Sequence, residues 1–133
     1  MKKPDSLFLL NVIAQSIFDK KGSNILALDV HGLSTLTDYI LIAEGNVDKH
    51  VTAIAQEIIK NLRKLGVDPV YVEGLKAGDW VVIDYMHFMV HLFMPGMRDL
   101  YMLEQLFREA TIVDLEIDVS SKTAFGELGL NRV

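Results

Sequence analysis

The pattern of apolar and polar residues predicts three amphipathic helices, in residues 5–20, 47–65 and 97–108. Apolar side chains three or four positions apart mark one face of a helix. The clearest stripe belongs to the second helix and consists of Val51, Ile54, Ala55, Ile58, Leu62 and Leu65. Asn46 is predicted to cap the start of this helix, and Gly66 is predicted to end it.

The first and third helices carry shorter stripes. In the first helix the apolar positions are Leu7, Leu10, Ala14 and Ile17. Asp5 or Ser6 is expected to cap its start. In the third helix, Leu100, Leu103 and Phe107 point one way, whereas Arg98, Tyr101 and Gln105 point another.

Five segments dense in apolar and β-branched residues are predicted strands. They are residues 25–30, 38–44, 69–73, 80–85 and 87–93. Tyr85 and Met86 are expected to form a tight hairpin turn between the last two strands. The order α-β-β-α-β-β-β-α indicates an α/β or α+β fold, in which a mixed sheet of about five strands is flanked by helices.

The length of 133 residues suits one compact domain. The expected division is a single domain in residues 1–108 and a C-terminal extension in residues 109–133. The extension lacks a convincing period, apart from a strand-like stretch at 112–117, and is expected to run partly extended along the body.

The composition and the lengths of the apolar runs exclude several kinds of site and segment. The chain has no cysteine, which excludes disulfides, thiolate zinc sites and cysteine nucleophiles. The apolar run at residues 7–10 is too short for a signal peptide, and no stretch is long enough to span a bilayer. The expected location is therefore cytoplasmic, with no membrane partner.

The formal net charge of −5 disfavours a protein that grips nucleic acid mainly through phosphates. Lys60, Arg63 and Lys64 lie near a predicted helix end, where cations also suit the helix dipole. They are predicted to be solvated surface residues, and a minor contact with RNA is the alternative.

Aspartates and histidines near strand ends are the candidate catalytic or metal-binding groups. They are Asp29, His31, Asp38, Asp84, His87 and His91. Carboxylates at strand ends can hold a divalent cation in a nucleotide-transfer site. However, the chain lacks a glycine-serine phosphate loop followed by a D-x-D pair, and Asp29 and Asp84 are suited to hydrogen-bond turn backbones. The prediction is that the chain is not an enzyme and holds no metal or cofactor.

Two further chemistries have weak support. His87 and His91 are four residues apart on a predicted strand, which separates them by about 13 Å, too far for one zinc ion to bridge. The turn at Gly45 and Asn46 is the best candidate for phosphate binding, but it lacks the extra glycines that allow close approach of the backbone.

Several motifs occur in a specific order. Residues 29–39, DVHGLSTLTDY, contain the pattern D-x-x-x-x-S-x-x-T-D-Y. The later motifs are Val72-Glu73-Gly74, Asp79-Trp80-Val81, Val90-His91-Leu92-Phe93 and the block R-x-x-Y-x-L-E-x-L-F at 98–107. Together they resemble the ribosome silencing factor family, the Iojap-like proteins, over about residues 5–108. Phe107 stands where the family usually has tryptophan, and Tyr85-Met86 replaces its usual acidic-glycine turn.

The resemblance implies a nucleotidyltransferase-like fold without that activity. It also implies binding to large-subunit ribosomal protein L-fourteen, at the face that meets the small subunit. Occupying that face would sterically block subunit joining and repress translation under nutrient limitation. The alternatives are a large-subunit assembly factor and a metal-dependent, nucleotidyltransferase-like enzyme acting through Asp29 and Asp84. A weak homodimer is expected in the free state.

The motif match also gives the expected partner-binding residues, which are Asp38, Tyr39, Trp80, Asp84, His91, Arg98, Tyr101 and Glu104. Trp80, Tyr101 and Arg98 are of the types that dominate protein–protein hot spots. Each has a structural alternative: core packing for Trp80, partial burial for Tyr101 and a surface ion pair for Arg98. Trp80 and Asp84 are four apart on a predicted strand, so their side chains should share one face of the sheet.

Overall fold

The computed structural model describes residues 4–97 and 108–120. The elements are α1 (Ser6–Asp19), β1 (Ser23–Asp29), β2 (Tyr39–Glu44), α2 (Asp48–Lys64), β3 (Tyr71–Glu73), β4 (Trp80–Asp84), β5 (Phe88–Phe93) and β6 (Thr111–Ile112). The first seven follow the predicted order. Nearly all of the predicted third helix, including Arg98, Tyr101 and Glu104, lies outside the described residues.

One mixed sheet organises the fold, as predicted. Its strand order is β3-β4-β5-β2-β1-β6. The central pair, β2 and β5, is parallel, whereas the other neighbouring pairs are antiparallel. The parallel pair requires a long connection between β2 and β5, and α2 with the β3–β4 hairpin supplies it.

Both described helices pack on the same face of the sheet, which forms the main core. The stripe predicted for α2 is buried at Val51, Ile54, Ala55, Ile58 and Leu62. These side chains meet the strand residues Leu41, Val81, Ile83, Val90 and Leu92. The outer ends of the predicted stripes were wrong, because Leu7 is 48% exposed and Leu65 is 38% exposed. Each lies in the terminal turn of its helix or just beyond it.

At the helix ends, some of the capping residues predicted from the local sequence are confirmed and one is not. The Asp5 side chain accepts a hydrogen bond from the Phe8 N–H, so the predicted cap of α1 is confirmed. Gly66, at φ +80°, follows the end of α2 as predicted. The predicted cap of α2 was wrong, since Val47 is the N-cap residue and makes no side-chain cap bond. His50, in the first turn of α2, instead holds the residue before the cap, because its Nδ1 accepts the Asn46 N–H and its Nε2 lies 2.7 Å from the Lys20 carbonyl oxygen.

The segment after residue 108 returns to the sheet and then follows α1. Within residues 108–120, only Thr111–Ile112 forms a strand, which is shorter than the predicted stretch at 112–117. Beyond it, the backbone N–H of Glu116 donates to Asn11 and that of Asp118 donates to Gln15. The amide side chains of α1 thus satisfy backbone groups that a longer strand would have paired.

Among the described residues, no helix combines the length and apolar character needed to cross a bilayer.

Candidate functional site

The sheet face away from α1 and α2 is called the second face below. It carries a smaller buried cluster, formed by Leu28, Val30, Ile40, Ile42 and Phe93. Met97 and Ala110 pack against this cluster. Toward the β4–β5 margin, Trp80, Val82, Asp84, Met89 and His91 are half-buried. This margin is the part of the second face that the described residues leave partly exposed.

The β4–β5 hairpin determines which side chains meet at this margin. The Tyr85 N–H donates to the Phe88 carbonyl at 3.0 Å, which closes a two-residue turn at Met86 and His87. Met86 adopts φ +76°, which lets the chain reverse. The predicted hairpin is therefore confirmed, although its turn lies one residue later than the predicted Tyr85 and Met86. Its register places Trp80 opposite Phe93 and Val82 opposite His91.

Three rings stack at the margin as a consequence. The Trp80 and Phe93 ring centroids are 5.6 Å apart, and those of His91 and Phe93 are 6.2 Å apart. Trp80 also donates its indole N–H to His91 Nδ1 at 3.1 Å. Because an indole N–H can only donate, Nδ1 is unprotonated and the neutral imidazole carries its proton on Nε2. Phe93 was not among the predicted site residues, although the register of a two-residue hairpin would have placed it beside Trp80.

Burial lowers the pKa of His91 to about 4. Protonation would place a charge in a desolvated site and would remove the acceptor of the Trp80 N–H. His91 therefore acts as a neutral acceptor that fixes the orientation of the indole.

This shift predicts a pH-dependent stability. As the pH falls from 6.5 to about 4, the unfolded chain binds a proton at His91 before the folded chain does. The contribution of His91 to the free energy of unfolding is therefore fully present above pH 6.5. It declines by up to about 3 kcal/mol as the pH falls through 4. Urea unfolding of the parent and of His91→Gln between pH 7 and pH 4 checks this. Glutamine can still accept the indole N–H, so the parent should lose more stability than the variant; parallel curves would contradict the prediction.

Asp29 and Asp84 hold turns, as their strand-end positions suggested. Asp29 Oδ1 accepts the His31 N–H at 3.0 Å, and Asp84 Oδ1 accepts the Met86 N–H at 2.7 Å. By side-chain alternation Asp84 lies on the second face with Trp80, about 13 Å along β4. Asp84 therefore has a structural role at the turn.

A separate group of polar side chains lies at the end of the sheet where β2 begins. His31 Nδ1 donates to Asp29 Oδ1 at 2.6 Å, and His31 Nε2 lies 3.4 Å from Asp38 Oδ1. His87 Nδ1 is 4.0 Å from the other Asp38 oxygen. The side-chain hydrogen bond to Asp29 raises the pKa of His31, and the backbone N–H of His31 lowers the pKa of Asp29. Imidazoles and carboxylates thus pair with each other here and connect the 30–38 loop to the hairpin turn.

Tyr39 lies on the other side of the sheet from Trp80. Its ring packs against the main core and meets the His31 ring edge-on at 5.2 Å. The reason is strand alternation, since Tyr39, Leu41 and Ala43 of β2 all turn toward the helices. Burial raises the pKa of Tyr39. Of the predicted partner residues, Trp80, Asp84 and His91 share the second face, whereas Asp38 and Tyr39 lie at the sheet end.

Asp29 and Asp84, the residues of the metal-dependent alternative, each accept a turn N–H. Within residues 4–97 and 108–120, no three histidine or acidic side chains converge in a way that could hold a metal ion. The candidate phosphate turn is also occupied, because the Gly45 N–H donates to Phe93 and the Asn46 N–H donates to His50. The two backbone donors of the turn itself are therefore already used.

Charge is distributed unequally along the chain. Residues 22–48 and 77–97, which contain β1, β2, β4 and β5, include no lysine or arginine. The same two segments contain six acidic residues: Asp29, Asp38, Glu44, Asp48, Asp79 and Asp84. The predicted cationic group lies on α2, where Lys60 pairs with Glu57 and Arg63 pairs with Asp68. The strands thus present acidic and aromatic groups without neighbouring cations in these segments.

Comparisons with known proteins agree on one family. Residues 3–127 match the family described as ribosomal silencing factor during starvation. The chain is 38% identical over 112 residues to the ribosomal silencing factor RsfS of Bacillus subtilis, which covers 84% of this chain and 95% of that protein. It is 26% identical over 119 residues to mitochondrial assembly of ribosomal large subunit protein 1 of Mus musculus, covering 87% of this chain and 52% of that protein.

A crystal structure of a protein from Bacillus halodurans has a similar fold. The TM-score is 0.71 at 35% sequence identity, over 81% of this chain and 98% of that one. Sequence and fold therefore agree over most of the length, and the chain belongs to the RsfS family of ribosomal silencing factors.

Proposed function

We propose that this protein binds the large ribosomal subunit through ribosomal protein L-fourteen and sterically blocks joining of the small subunit. Translation would then be repressed when nutrients are scarce. Membership of the RsfS family supports the ribosomal role. Steric exclusion requires affinity and bulk but no bond-making, so the function needs no cofactor, and we place it in the cytoplasm.

The observation that carries the proposal is the half-buried aromatic margin, built from strands whose segments, residues 22–48 and 77–97, contain no lysine or arginine. Trp80 and His91 offer area that a partner can bury, and Asp84 lies on the same face. Aromatic side chains often dominate the binding energy of protein interfaces. Acidic groups around them favour a basic partner, both in encounter and in orientation. A basic ribosomal protein meets both requirements.

The proposed interface joins this margin to the residues expected from the motif match. The full set is Asp38, Tyr39, Trp80, Asp84, His91, Arg98, Tyr101 and Glu104. Asp38, Asp84 and Glu104 would meet basic side chains of the partner.

Substitution of the proposed anchors should weaken binding to purified large subunits. Tyr101→Ala should cost about 1–3 kcal/mol in binding, because truncating an aromatic anchor removes buried area. Arg98→Ala is tested beside it, and Lys60→Ala on α2 serves as the control. Binding is measured by co-sedimentation, and light scattering measures the joining of large and small subunits. Undiminished binding by both site variants would refute this placement of the interface.

A second candidate function is assembly of the large subunit, because the mouse relative is named for that process. Sedimentation of cell extract over a sucrose gradient separates the two functions. A silencing factor should travel with mature free large subunits, whereas an assembly factor should travel with incomplete precursors and its loss should make precursors accumulate.

We also propose that the protein is not an enzyme. Asp29 and Asp84, which a metal-dependent mechanism would use, each hold a turn N–H.

A further inference from the structure

Beside the aromatic margin lies an apolar hollow of about 440 Å³. Its walls are the loop at residues 33–37 and the side chains of Ile40, Met89 and His91. His91 therefore borders both the hollow and the Trp80 ring, and the two features form one continuous surface. We call it the loop hollow.

The rim of the loop hollow exposes leucines that the core does not use. Leu33 is 43% exposed and Leu36 is 78% exposed. A pocket for a small molecule normally encloses most of its ligand's surface. A shallow hollow with exposed leucines on its lip is better suited to a side chain that arrives on a protein surface, because the partner's own surface can cover the lip.

The loop that bears these leucines is held in place. The Leu33 and Ser34 N–H groups donate to the Val30 carbonyl at 2.9 and 3.1 Å. Ser34 Oγ accepts the Leu36 N–H at 3.1 Å. The Asp38 N–H donates to the His87 carbonyl at 3.1 Å, which ties the loop to the hairpin turn. Because the loop is already ordered, little conformational entropy would be lost when a partner binds.

Charge around the hollow narrows the choice of partner. Asp38 follows the loop directly, and Asp84 is paired with Met89 of the hollow wall. No lysine or arginine occurs in either segment that builds the hollow, residues 22–48 and 77–97. An apolar side chain flanked by lysine or arginine would fill the hollow and meet these carboxylates.

From these observations we infer that the loop hollow receives a large apolar side chain from a basic segment of the ribosomal protein bound at the aromatic margin. The inference rests on the proposed function and adds the chemistry of the contact: leucine, methionine or phenylalanine in size, with cationic neighbours.

The first experiment measures affinity for purified large ribosomal subunits. The double variant Leu33→Ala with Leu36→Ala should bind at least about tenfold more weakly than the parent. Leu7→Ala is the matched control, because Leu7 is 48% exposed but lies on α1, on the other side of the sheet. It should bind within about twofold of the parent. Equal affinity of the double variant and the parent overturns the hollow but leaves the proposed function standing. If the parent itself does not bind, both fail.

The second experiment identifies what enters the hollow. The photo-cross-linking amino acid p-benzoylphenylalanine is placed at Leu36, and the complex with purified large subunits is irradiated. The expected product joins residue 36 to a ribosomal-protein peptide with an apolar residue flanked by lysine or arginine. Cross-linking only to RNA, only within the same chain, or to an acidic peptide overturns the inference.

Discussion

Ile58→Asp should destabilise the fold by about 3 kcal/mol or more. Ile58 has no exposed surface and lies in the main core between α2 and the sheet. An aspartate at this position would lose the contacts of the isoleucine and bury a carboxylate among apolar side chains. No cation of α2 is on the buried side of the helix to pair with it, because Lys49, Lys60, Arg63 and Lys64 are all exposed.

Urea unfolding measures the loss, with Ala53→Asp as the control. Ala53 is exposed on the same helix, so its replacement tests the effect of aspartate on α2 without burial. The control should lose less than about 1 kcal/mol. If both variants lost the same small amount, the register of α2 against the sheet would be wrong.

The sequence predicted the elements whose signal is local. The apolar stripe of α2 repeats over several turns, so the helix and its buried face could be predicted even if one position departed from the pattern. The predicted ends of the five strands lie within two residues of the observed ends. The reason is that each run of apolar and β-branched residues ends where a turn begins. The prediction that Asn46 caps α2 was wrong because a distant residue helps to set the path of the chain before the helix. The His50 ring accepts the Asn46 N–H with one nitrogen, and its other nitrogen contacts the carbonyl of Lys20, 30 residues away in the chain.

The C-terminal segment shows the same limit more strongly. Its strand-like stretch suggested a strand at 112–117, but the strand ends at Ile112, and one further backbone bond to β1 follows, from the Val113 N–H to the Ala27 carbonyl. Asn11 and Gln15 compete for the following backbone groups, from about 100 residues away. Such pairing depends on the tertiary arrangement of α1 and the sheet edge, which local patterns do not encode.

For the candidate site, alternation along β4 was enough to put Trp80 and Asp84 on one face. Spacing alone could not show which face of the sheet Tyr39 occupies relative to Trp80, because Tyr39 belongs to another strand, whose side chains alternate independently. The loop hollow also gave no local signal. In the sequence, Leu33 and Leu36 cannot be distinguished from other loop leucines. The parallel pairing of β2 with β5 places Met89 and His91 beside them.

Gly74→Ala should destabilise the protein by about 3 kcal/mol or more and should disturb Trp80. Gly74 has φ +89°, and a Cβ added there would overlap the carbonyl oxygen of Trp80 and lie 3.1 Å from its carbonyl carbon. The obstacle is backbone, so it cannot rotate away as a side chain could. To relieve the overlap, the start of β4 must shift, and the stack of Trp80 on Phe93 with it. The position of Trp80 is therefore expected to depend on Gly74.

Gly66→Ala separates the overlap from the effect of positive φ. Gly66 has φ +80°, but an added Cβ would meet nothing within 4 Å. This control should cost only about 1–2 kcal/mol, the usual strain of a left-handed alanine. Trp80 is the only tryptophan in the chain, so its fluorescence reports directly on the margin. The emission should shift toward longer wavelength in Gly74→Ala and stay unchanged in Gly66→Ala. Equal losses of stability with unchanged emission in both variants would show that Gly74 does not position Trp80.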